Sequence, residues 1–576
     1  MFFLADEPTM TDLQEPVYKS EPETLCWSAP AHDSRLTLKD VIALMHQRQG
    51  PTVQQEYLQG VRNLQYCSPL EQWSLFGGCG LASHVLAAIG AVWKDMFNID
   101  VKFLHAVVAE RAAEKQRHLH REIGHPIMTA TVKELEGTLV NNLVDEDGNL
   151  GSKPQRKSLL GSPKVLDGGV PCTSRTSLSC HAAANLNCVQ KGTEATGLGF
   201  AETMTVSTTH WPDVVALECS DKLEQKDKSD EEAISDAEHV VDTYRKAGFW
   251  AVKHMMDARE WGSLPARWRL YWGALLRPPP DASPQMTLYF FRVLNSFKMS
   301  CLSHRQYLTL DDDQRLKESK RLMIPLHSQF GWREPRKVGK EDAGWRLDHK
   351  YFYEAMDMRW PPDLTNVGPG IDFSGMLPRE REAAFYLNKV FPVTEFDTIQ
   401  YIDVNPKMGR VLTGCLSADL TEVKRSPWHN QLQTLVGSGK TVLRYQADAE
   451  SPVVMRVLEG FEYMRLAGWS DELWHINLDS SINEEYRQTV DYLELLSNFA
   501  GNAYSIHHYA PWIMSLLATY GYFCCGALGD VLSEVPSGPK REWRQRCMSV
   551  QSSSSDSCFE DATCSGFPCQ DHSDSS

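Results

Sequence analysis

FWAVKHMMDAREWGSLPARWRLYWGALLRPPPDASPQMTLYFFRVLNSFKMSCLSHRQYL, residues 249–308, is the most aromatic stretch of this chain. Prolines 278–280 divide it into a first half rich in Trp and Arg and a second, apolar half. Ser283 followed by Pro284 is a typical helix start, because serine caps the first turn and proline is accepted at the first helical position. The apolar positions beyond it recur at intervals of three and four, as on a buried helix face: Phe290, Val293, Leu294, Phe297 and Cys301.

Helical spacing recurs elsewhere and predicts a mainly α fold. Helices are expected at Leu36–Gln47, Leu81–Phe97 and Phe103–Arg121, and after the cap-like residues Ser451 and Ser481. The short alternating run TIQYIDV, residues 398–404, predicts one of a few strands. The expected architecture is a large helical domain with a few short strands, a long irregular insertion and disordered termini.

Composition predicts five segments along the chain. Residues 1–34 form a mobile acidic arm, and residues 35–138 an N-terminal helical part. Residues 139–238 are rich in Ser, Gly, Lys and Asp without a sustained period, which predicts a disordered, low-complexity insertion. Residues 239–535 form the main helical domain, and residues 536–576 a Ser/Cys-rich disordered tail.

The charge of the chain limits its partners. With 576 residues, 42% of them hydrophobic, the protein can bury a substantial core, but its net charge is −17. Tight nucleic-acid binding depends on Lys and Arg that neutralise phosphates, so this acidity argues against it. Enclosing RNA without gripping it is compatible with the charge.

Cysteine usage and the N-terminus predict an intracellular, cytoplasmic location. Fifteen cysteines are present, and the acidic start of the chain lacks the basic region of a secretory signal. The cysteines are therefore expected to be reduced. Two long uncharged stretches, 74–93 and 509–529, are expected to be buried core helices rather than membrane spans, because neither has basic flanks.

One cysteine has the setting of a nucleophile. Cys79 lies in a Gly-rich turn before an apolar helix, where the helix N-terminus favours the thiolate. The region loosely resembles the nucleophile region of papain-fold peptidases. That resemblance implies a thiol hydrolase, with His475 and Asp479 as the pair that orients and activates the thiol. The same residues are also explained without catalysis, by the close packing of Gly, Cys and Ala at the start of a helix.

Metal and nucleotide motifs are incomplete in this sequence. Lys440 and Thr441 end a Gly-Ser-Gly-Lys-Thr run, but Thr434 stands where a phosphate-binding loop needs its first glycine, so a flexible turn is favoured over a nucleotide site. His118 and His120 are two apart, and on a helix they face different ways. Four further cysteines lack the close pairs of a zinc module and are assigned no role: Cys172, Cys180, Cys188 and Cys219. No metal or cofactor is expected.

The Trp/Arg half of residues 249–308 is the predicted partner surface. Trp and Arg are the residues that protein interfaces use as anchors, and in an acidic chain that interpretation is favoured over nucleic-acid recognition. The expected anchors are Trp261, Trp268, Arg269, Trp272 and Arg277.

The runs YWGALLRPPP and MTLYFFRVLNSF, with further tryptophans at Trp469, Trp474 and Trp512, resemble the capsid proteins of partitivirus-like double-stranded RNA viruses. The resemblance implies a helical shell protein that assembles as dimers into an icosahedral particle around RNA. The leading hypothesis is therefore a structural, self-assembling, homo-oligomeric protein of the virion rather than an enzyme. The thiol hydrolase using Cys79 is the alternative, and a nucleotide-dependent protein using Lys440 is a third hypothesis.

Overall fold

A computed structural model of the chain describes most of its residues. The described residues are 36–78, 80–112, 115–116, 119, 127–136, 139–140, 157–158, 164–172, 174, 185–226, 233–276, 278–279, 281–302, 307–308, 342–365, 367–373, 376, 378–404, 426–432, 440–469, 500 and 505–525.

The strands, in chain order, are β1 Leu70–Leu75, β2 Phe103–Ala109, β3 Ile127–Thr129, β4 Leu139–Val140, β5 Lys157–Ser158, β6 Val165–Gly169, β7 Val214–Ser220, β8 Phe249–Asp257, β9 Trp268–Leu276, β10 Gln400–Val404, β11 Lys440–Tyr445 and β12 Val454–Val457. The α-helices are α1 Leu38–Gln47, α2 Pro51–Leu64, α3 Leu81–Phe97, α4 Cys188–Lys191, α5 Glu194–His210, α6 Asp236–Lys246, α7 Ser283–Ser296, α8 Asp342–Ala355, α9 Pro378–Val390, α10 Gly460–Leu466 and α11 Ile506–Tyr520.

A seven-stranded mixed sheet forms the centre of the fold. Its strand order is β3-β2-β1-β6-β7-β9-β8. β1, β2, β3, β6 and β7 pair in parallel, whereas β9 is antiparallel to both β7 and β8. One face packs against α1, α2, α3, α7 and α11, and the other against α4, α5 and α6. The sheet is therefore covered on both faces, as is usual for parallel sheets.

The prediction of a mainly α fold is wrong, because this is an α/β protein. Strands buried on both faces appear in a sequence as short continuous apolar runs, which lack the alternation of a half-exposed strand and resemble buried helix segments. Phe103–Arg121, predicted as a helix, begins with β2. The Trp/Arg half of residues 249–308 is the β8–β9 hairpin. The predicted helix after Ser451 begins instead with β12.

The irregular insertion in the predicted fold class is also wrong for much of its length. Residues between 164 and 226 contribute β6 and β7, two central strands, together with α4 and α5. Every residue of β7 is buried. The Ser- and Gly-rich segments around these elements hid their short apolar runs.

Several local predictions are confirmed. α7 begins at Ser283 and buries Phe290, Val293 and Leu294 as the three–four spacing indicated. Ser283 is its first residue rather than its cap, which is Ala282, and Cys301 lies beyond the helix and is exposed. α1 begins two residues after Leu36 and ends at Gln47. The alternating run at 398–404 contains β10.

A smaller antiparallel sheet follows in the second half of the chain. Its order is β10-β11-β12, and it packs with α8 and α9 around a core of its own. One backbone and one side-chain hydrogen bond join this unit to the connection between β8 and β9. Ala266 N donates to Leu432 O at 2.8 Å, and an Arg259 guanidinium nitrogen donates to Gln431 Oε1 at 2.8 Å.

α11 is the most deeply buried helix among the described residues. It lacks Asp, Glu, Lys and Arg, and all of its residues are buried. Trp512 Nε1 donates to Trp272 O on β9 at 3.3 Å. Within the part of the chain that the structure describes, no helix combines the length and apolarity that crossing a bilayer requires. The uncharged stretch at 509–529 therefore contributes α11 to the core of the α/β domain.

α2 and the end of α11 touch through their backbones. A methyl group added at Gly60 would lie 2.3 Å from Ala518 O, and one added at Gly521 would lie 2.0 Å from Gly60 O. Both distances are far inside van der Waals contact, and each involves backbone, which cannot rotate away. Glycine at these positions allows the two helices to meet.

We expect Gly60→Ala to lower the free energy of unfolding by about 2 kcal/mol, because overpacking against a backbone outweighs the roughly 1 kcal/mol that alanine gains over glycine within a helix. Urea denaturation followed by circular dichroism measures the change. Gln55→Ala, at an exposed position of the same helix, is the matched control and should be neutral or stabilising. A stabilised Gly60→Ala variant would show that the close approach is absent.

Candidate functional site

The strand order creates a crevice between β1 and β6. The chain leaves β1 through α3 toward β2 on one side, and leaves β6 through α5 toward β7 on the other. In open α/β sheets, ligands bind at this reversal point, outside the carboxyl ends of the strands. The residues that follow β1, β2, β6 and β7 are therefore the candidates for a site.

A Gly-rich turn joins β1 to α3 at this edge. Phe76, Gly78 and Gly80 all have positive φ, of 56°, 60° and 77°, and a methyl group added at Gly77 would lie 2.3 Å from a Val108 methyl. The backbone of the turn therefore packs closely against Val108 on β2 and leads directly into the N-terminus of α3. Such a turn lets a ligand approach the backbone, and a helix N-terminus favours electron-rich groups.

Glu110, the residue immediately after β2, faces the Gly-rich turn. Its carboxylate accepts Gly78 N at 2.7 Å and Ala112 N at 2.9 Å, and only 9% of the residue is exposed. In nucleotide-binding α/β folds, an acidic side chain at the end of the second strand binds ribose hydroxyls. Each carboxylate oxygen of Glu110 has a second lone pair that can accept a hydrogen bond from a ribose hydroxyl.

Cys172 follows β6 across the crevice. The strand ends at Gly169, and Val170 N donates to Glu218 O at 3.0 Å, which fixes the start of the loop against β7. Cys172 itself is half-buried. A thiol at the carboxyl end of a central parallel strand is positioned to meet a ligand bound at the reversal point.

Glu218 and two arginines lie within electrostatic range of this thiol. Arg269 Nε lies 2.9 Å from Glu218 Oε1, with both side chains largely buried. Arg267 and Arg269 are two residues apart in an extended segment, so their side chains share a face. Arg267 is 6% exposed. Cys172 lies within electrostatic range of Glu218, Arg267 and Arg269.

Burial and neighbouring charge set the protonation of the site. Burial raises the pKa of Glu218, although Arg269 and Arg267 oppose that shift. Burial also raises the pKa of the Cys172 thiol; Glu218 raises it further, and the arginines lower it. Burial lowers the pKa of Arg267 to about 10, and Arg269 adds to that effect. When Glu218 is protonated, its negative charge no longer destabilises the Cys172 thiolate, and the positive charges of Arg267 and Arg269 favour that thiolate.

These side chains form a nucleophile, a proton donor and a pair of cations. A thiolate can attack an electron-poor carbon, and a carboxyl group whose pKa is raised keeps its proton to a higher pH than an exposed carboxyl does. Among the described residues, no group of three His, Cys, Asp or Glu side chains is placed to bind a metal ion.

A buried polar row lies beneath the crevice. Asp167 on β6 accepts Ser74 Oγ at 2.8 Å and also accepts Gln72 Nε2, whose carbonyl contacts His105. Asp167 is fully buried, and burial raises the pKa of its carboxyl to about 7, against the opposing hydrogen bonds. Its ionised form is therefore costly at neutral pH.

A cleft of about 660 Å³ lies in the smaller domain. Its floor includes Arg444, whose guanidinium carbon lies 4.3 Å from the centre of the Trp428 ring and whose Nε donates to Gln400 Oε1 at 2.8 Å. Its rim includes Gln431, which accepts the hydrogen bond from Arg259. The cleft is therefore joined to the segment that carries Arg267.

The structure places only some of the predicted site residues. Cys79, His475 and Asp479 lie outside the described residues. Lys440 and Thr441 open β11, where Thr441 is buried and its backbone N donates to Tyr463 Oη at 2.7 Å.

The predicted partner surface divides between core and site. The Trp261 and Trp272 rings are buried within the chain, with Trp272 Nε1 donating to Ala237 O at 3.0 Å. Trp268 is 45% exposed, and Arg269 pairs with Glu218. Arg277 lies outside the described residues. Self-association through this surface stays a prediction, as does the cytoplasmic location.

The sequence analysis assigned no role to Cys172, Glu218 and Glu110, and it favoured Arg269 as an interface anchor over a nucleic-acid contact. A usable signal was present: an apolar run, a Gly-rich turn and an apolar helix, residues 70–97, lead to a second apolar run that ends at Glu110. That order is typical of a nucleotide-binding βαβ unit. The helical prediction for Phe103–Arg121 concealed it.

Comparisons with protein-family models and with curated proteins give no match. Among solved structures, the chain is similar to the S. pombe Dnmt2 methyltransferase, with a TM-score of 0.34 and 10% identity over 78% of this chain and 98% of that chain. It is also similar to the Entamoeba histolytica methyltransferase EhMeth, with a TM-score of 0.33 and 9% identity over 78% of this chain and 97% of that one. TM-scores this low do not establish a common fold.

The prediction of a structural capsid subunit is wrong. The chain is built around an α/β sheet rather than a helical shell domain, and the carboxyl ends of its strands carry a half-buried thiol and a charged cluster.

We expect Glu218→Gln to lower the pKa of the Cys172 thiol and to speed its alkylation by iodoacetamide at pH 7, because the variant removes the neighbouring anion. Arg269→Gln should slow alkylation, because it removes a cation that favours the thiolate. Peptide mass spectrometry across a pH series measures the rate at Cys172. Glu224→Gln, in an ion pair with Lys253, is the matched control. Equal rates in all variants would show that Glu218 does not act on Cys172.

We also expect Asp167→Asn to stabilise the protein increasingly as pH rises. Because burial raises the folded-state pKa, Asp167 does not lower the free energy of unfolding below pH 4. Between pH 4 and about pH 7 it lowers that free energy increasingly, and above pH 7 the effect is constant. From 1.36 kcal/mol per pKa unit, the gain at pH 8 is at most on the order of 4 kcal/mol. Thermal melts at pH 5 and pH 8 test this, with exposed Asp100→Asn as the matched control. A constant difference between Asp167→Asn and wild type would contradict it.

Proposed function

We propose that this protein is an S-adenosylmethionine-dependent methyltransferase that uses Cys172 to activate the C5 carbon of a cytosine base. The observation that carries the proposal is the cluster of Cys172, Glu218 and Arg269 at the carboxyl ends of β6 and β7, beside the Gly-rich turn.

The strand order supports a methyltransferase over a dehydrogenase. A dinucleotide-binding sheet has six parallel strands in the order 3-2-1-4-5-6. Here an additional antiparallel strand, β9, is inserted between the fifth and sixth parallel strands, β7 and β8. That inserted strand is typical of the Rossmann-like methyltransferase fold. Fold alone does not determine chemistry, so the proposal depends on the side chains.

The residues around the Gly-rich turn fit the nucleoside part of S-adenosylmethionine. Glu110 would bind the ribose hydroxyls, and the positive-φ turn at Gly78 and Gly80 leaves backbone room for the ligand. When bound there, S-adenosylmethionine supplies an electrophilic methyl group carried on a sulfonium. A sulfonium needs no metal ion and no redox group to transfer that methyl.

Cys172 and Glu218 supply what an unreactive pyrimidine carbon lacks. The Cys172 thiolate adds to C6 of the base, and Glu218 donates a proton to N3, so that electron density from the C5–C6 double bond becomes available at C5. C5 then takes the methyl group, and the sulfonium carbon–sulfur bond breaks to leave a neutral thioether. N3 returns its proton to Glu218, water accepts the C5 proton, and cleavage of the sulfur–C6 bond restores the aromatic ring and the thiolate.

The protonation of Glu218 favours cytosine over uracil. Cytosine N3 is an acceptor, whereas uracil N3 carries a hydrogen and cannot accept a proton from Glu218. Because burial raises the pKa of Glu218, the carboxyl can hold the proton that cytosine requires. Arg269 Nε lies 2.9 Å from Glu218 Oε1 and can donate a hydrogen bond to that oxygen whether the carboxyl is protonated or ionised, so it keeps Glu218 in place. Arg267 adds positive charge within electrostatic range of the thiolate.

We expect the full-length protein to transfer tritiated methyl groups from S-adenosylmethionine to cytosine in a panel of single-stranded DNA, duplex DNA, RNA and free cytidine. The Cys172→Ser variant should lose at least about 1,000-fold of this activity, because serine is a far weaker nucleophile. Glu218→Gln should lose activity while keeping the thiol reactive toward iodoacetamide.

A mechanism-based probe tests the covalent step. With 5-fluorocytosine in the substrate, C5 has no proton to lose after methylation, so the adduct on Cys172 should persist and be visible by intact mass. Cys301→Ser, at the exposed cysteine, is the matched control and should still form the adduct. An adduct on Cys172→Ser, or methyl transfer without any adduct on wild type, would overturn the role of Cys172.

A further inference from the structure

We propose that Cys67 and Cys525 form an intramolecular disulfide when the protein meets a low-molecular-weight disulfide such as oxidised glutathione. This thiol pair would be a site of reversible oxidation that joins the end of α2 to the end of α11. It lies apart from Cys172 and does not depend on the proposed methyl transfer.

The two sulfur atoms are already in contact. Cys67 Sγ lies 3.3 Å from Cys525 Sγ, although the residues are 458 apart in the chain. Cys67 ends the short 3₁₀ turn that follows α2. Cys525 ends the π-helical turn, Gly521–Cys525, that follows α11. A disulfide bond is about 2.05 Å long, so the sulfurs need to approach by roughly 1 Å.

The backbone around the pair keeps the thiols facing each other. Asn63 Nδ2 donates to Gly521 O at 3.0 Å, and Gly521 meets the Gly60 carbonyl closely enough to exclude any side chain. Two glycines and one hydrogen bond thus fix the end of α2 on the π-helical turn. Thiols that a fold holds in contact have a high effective concentration for each other, which favours a disulfide over mixed products.

Their exposure assigns an order to the reaction. Cys67 is half-buried and Cys525 is buried. The Cys67 thiolate attacks oxidised glutathione and releases one glutathione thiol. The Cys525 thiolate then attacks Cys67 in the mixed disulfide and releases the second glutathione. Two protein thiols are oxidised, one glutathione disulfide is reduced to two thiols, and no other oxidant is needed.

The bond would close a very long loop. Linking segments 458 residues apart restricts the unfolded chain far more than the folded one, so oxidation should stabilise the protein. α11 packs on β7 and β9, which carry Glu218 and Arg269. The linkage would therefore reinforce the helix that supports the site.

The test uses the full chain, reduced and then incubated with oxidised glutathione at pH 8. Non-reducing peptide mapping by mass spectrometry should find the Cys67–Cys525 peptide as the main disulfide, and free thiols should fall by two. The Tm should rise by at least about 3 °C and return on reduction. Cys67→Ser and Cys525→Ser should each abolish the linked peptide and the rise in Tm.

Cys524→Ser is the matched control, because Cys524 is adjacent in the chain and half-buried; this variant should still form the bond. A Cys67–Cys524 bond, a disulfide between two chains, or stable glutathione adducts on Cys67 without a linked peptide would each overturn the proposal. Circular dichroism of the reduced variants confirms that each is folded before oxidation. Because the readouts are peptide masses and Tm, they stay interpretable even if no methyl transfer is found.

Discussion

The antiparallel pairing of β9 with β7 is the constraint on which the rest of this structure depends. Its register places Glu218 opposite Tyr271 and Ser220 opposite Arg269. The carboxylate and the guanidinium therefore meet at the edge of the sheet where β6 ends and the loop that carries Cys172 begins. α11 packs on the same two strands, and Trp512 Nε1 donates to Trp272 O. A parallel strand in the position of β9 would have carried its first residues, with both arginines, to the opposite edge of the sheet.

The Glu218–Arg269 pair is better explained by chemistry than by stability. A buried ion pair gains little over packed apolar side chains, because desolvation offsets the attraction between the charges. Here a second, largely buried arginine, Arg267, adds an excess positive charge whose burial is itself unfavourable. Such an arrangement is costly for the fold and useful where an anion must form, as at a thiolate. Groups with shifted pKa values that converge on one edge of a sheet are typical of functional sites.

Local patterns in this sequence predicted helices well where side chains repeat on one face, as at Phe290, Val293 and Leu294 in α7. They failed where strands are buried on both faces, because a run such as VVALECS has no alternation to distinguish it from a helix segment. The site was harder still. Cys172, Glu218 and Arg269 are separated by dozens of residues, and each belongs to a different strand or loop. Only the strand order brings them together, and strand order is a long-range property that no local spacing contains.

The cysteines illustrate the same limit. From the sequence, the cysteines other than Cys79 form one class, reduced thiols without an assigned role. In the structure their neighbours separate them. Cys172 is half-buried and has two arginines within electrostatic range, which suits attack on a ligand. Cys67 and Cys525 have each other at 3.3 Å, which suits oxidation. Cys219 is buried against the Val170 carbonyl and contributes packing. The reactivity of a thiol follows from charge, contact and access, so function in this chain is a property of where the fold places each cysteine.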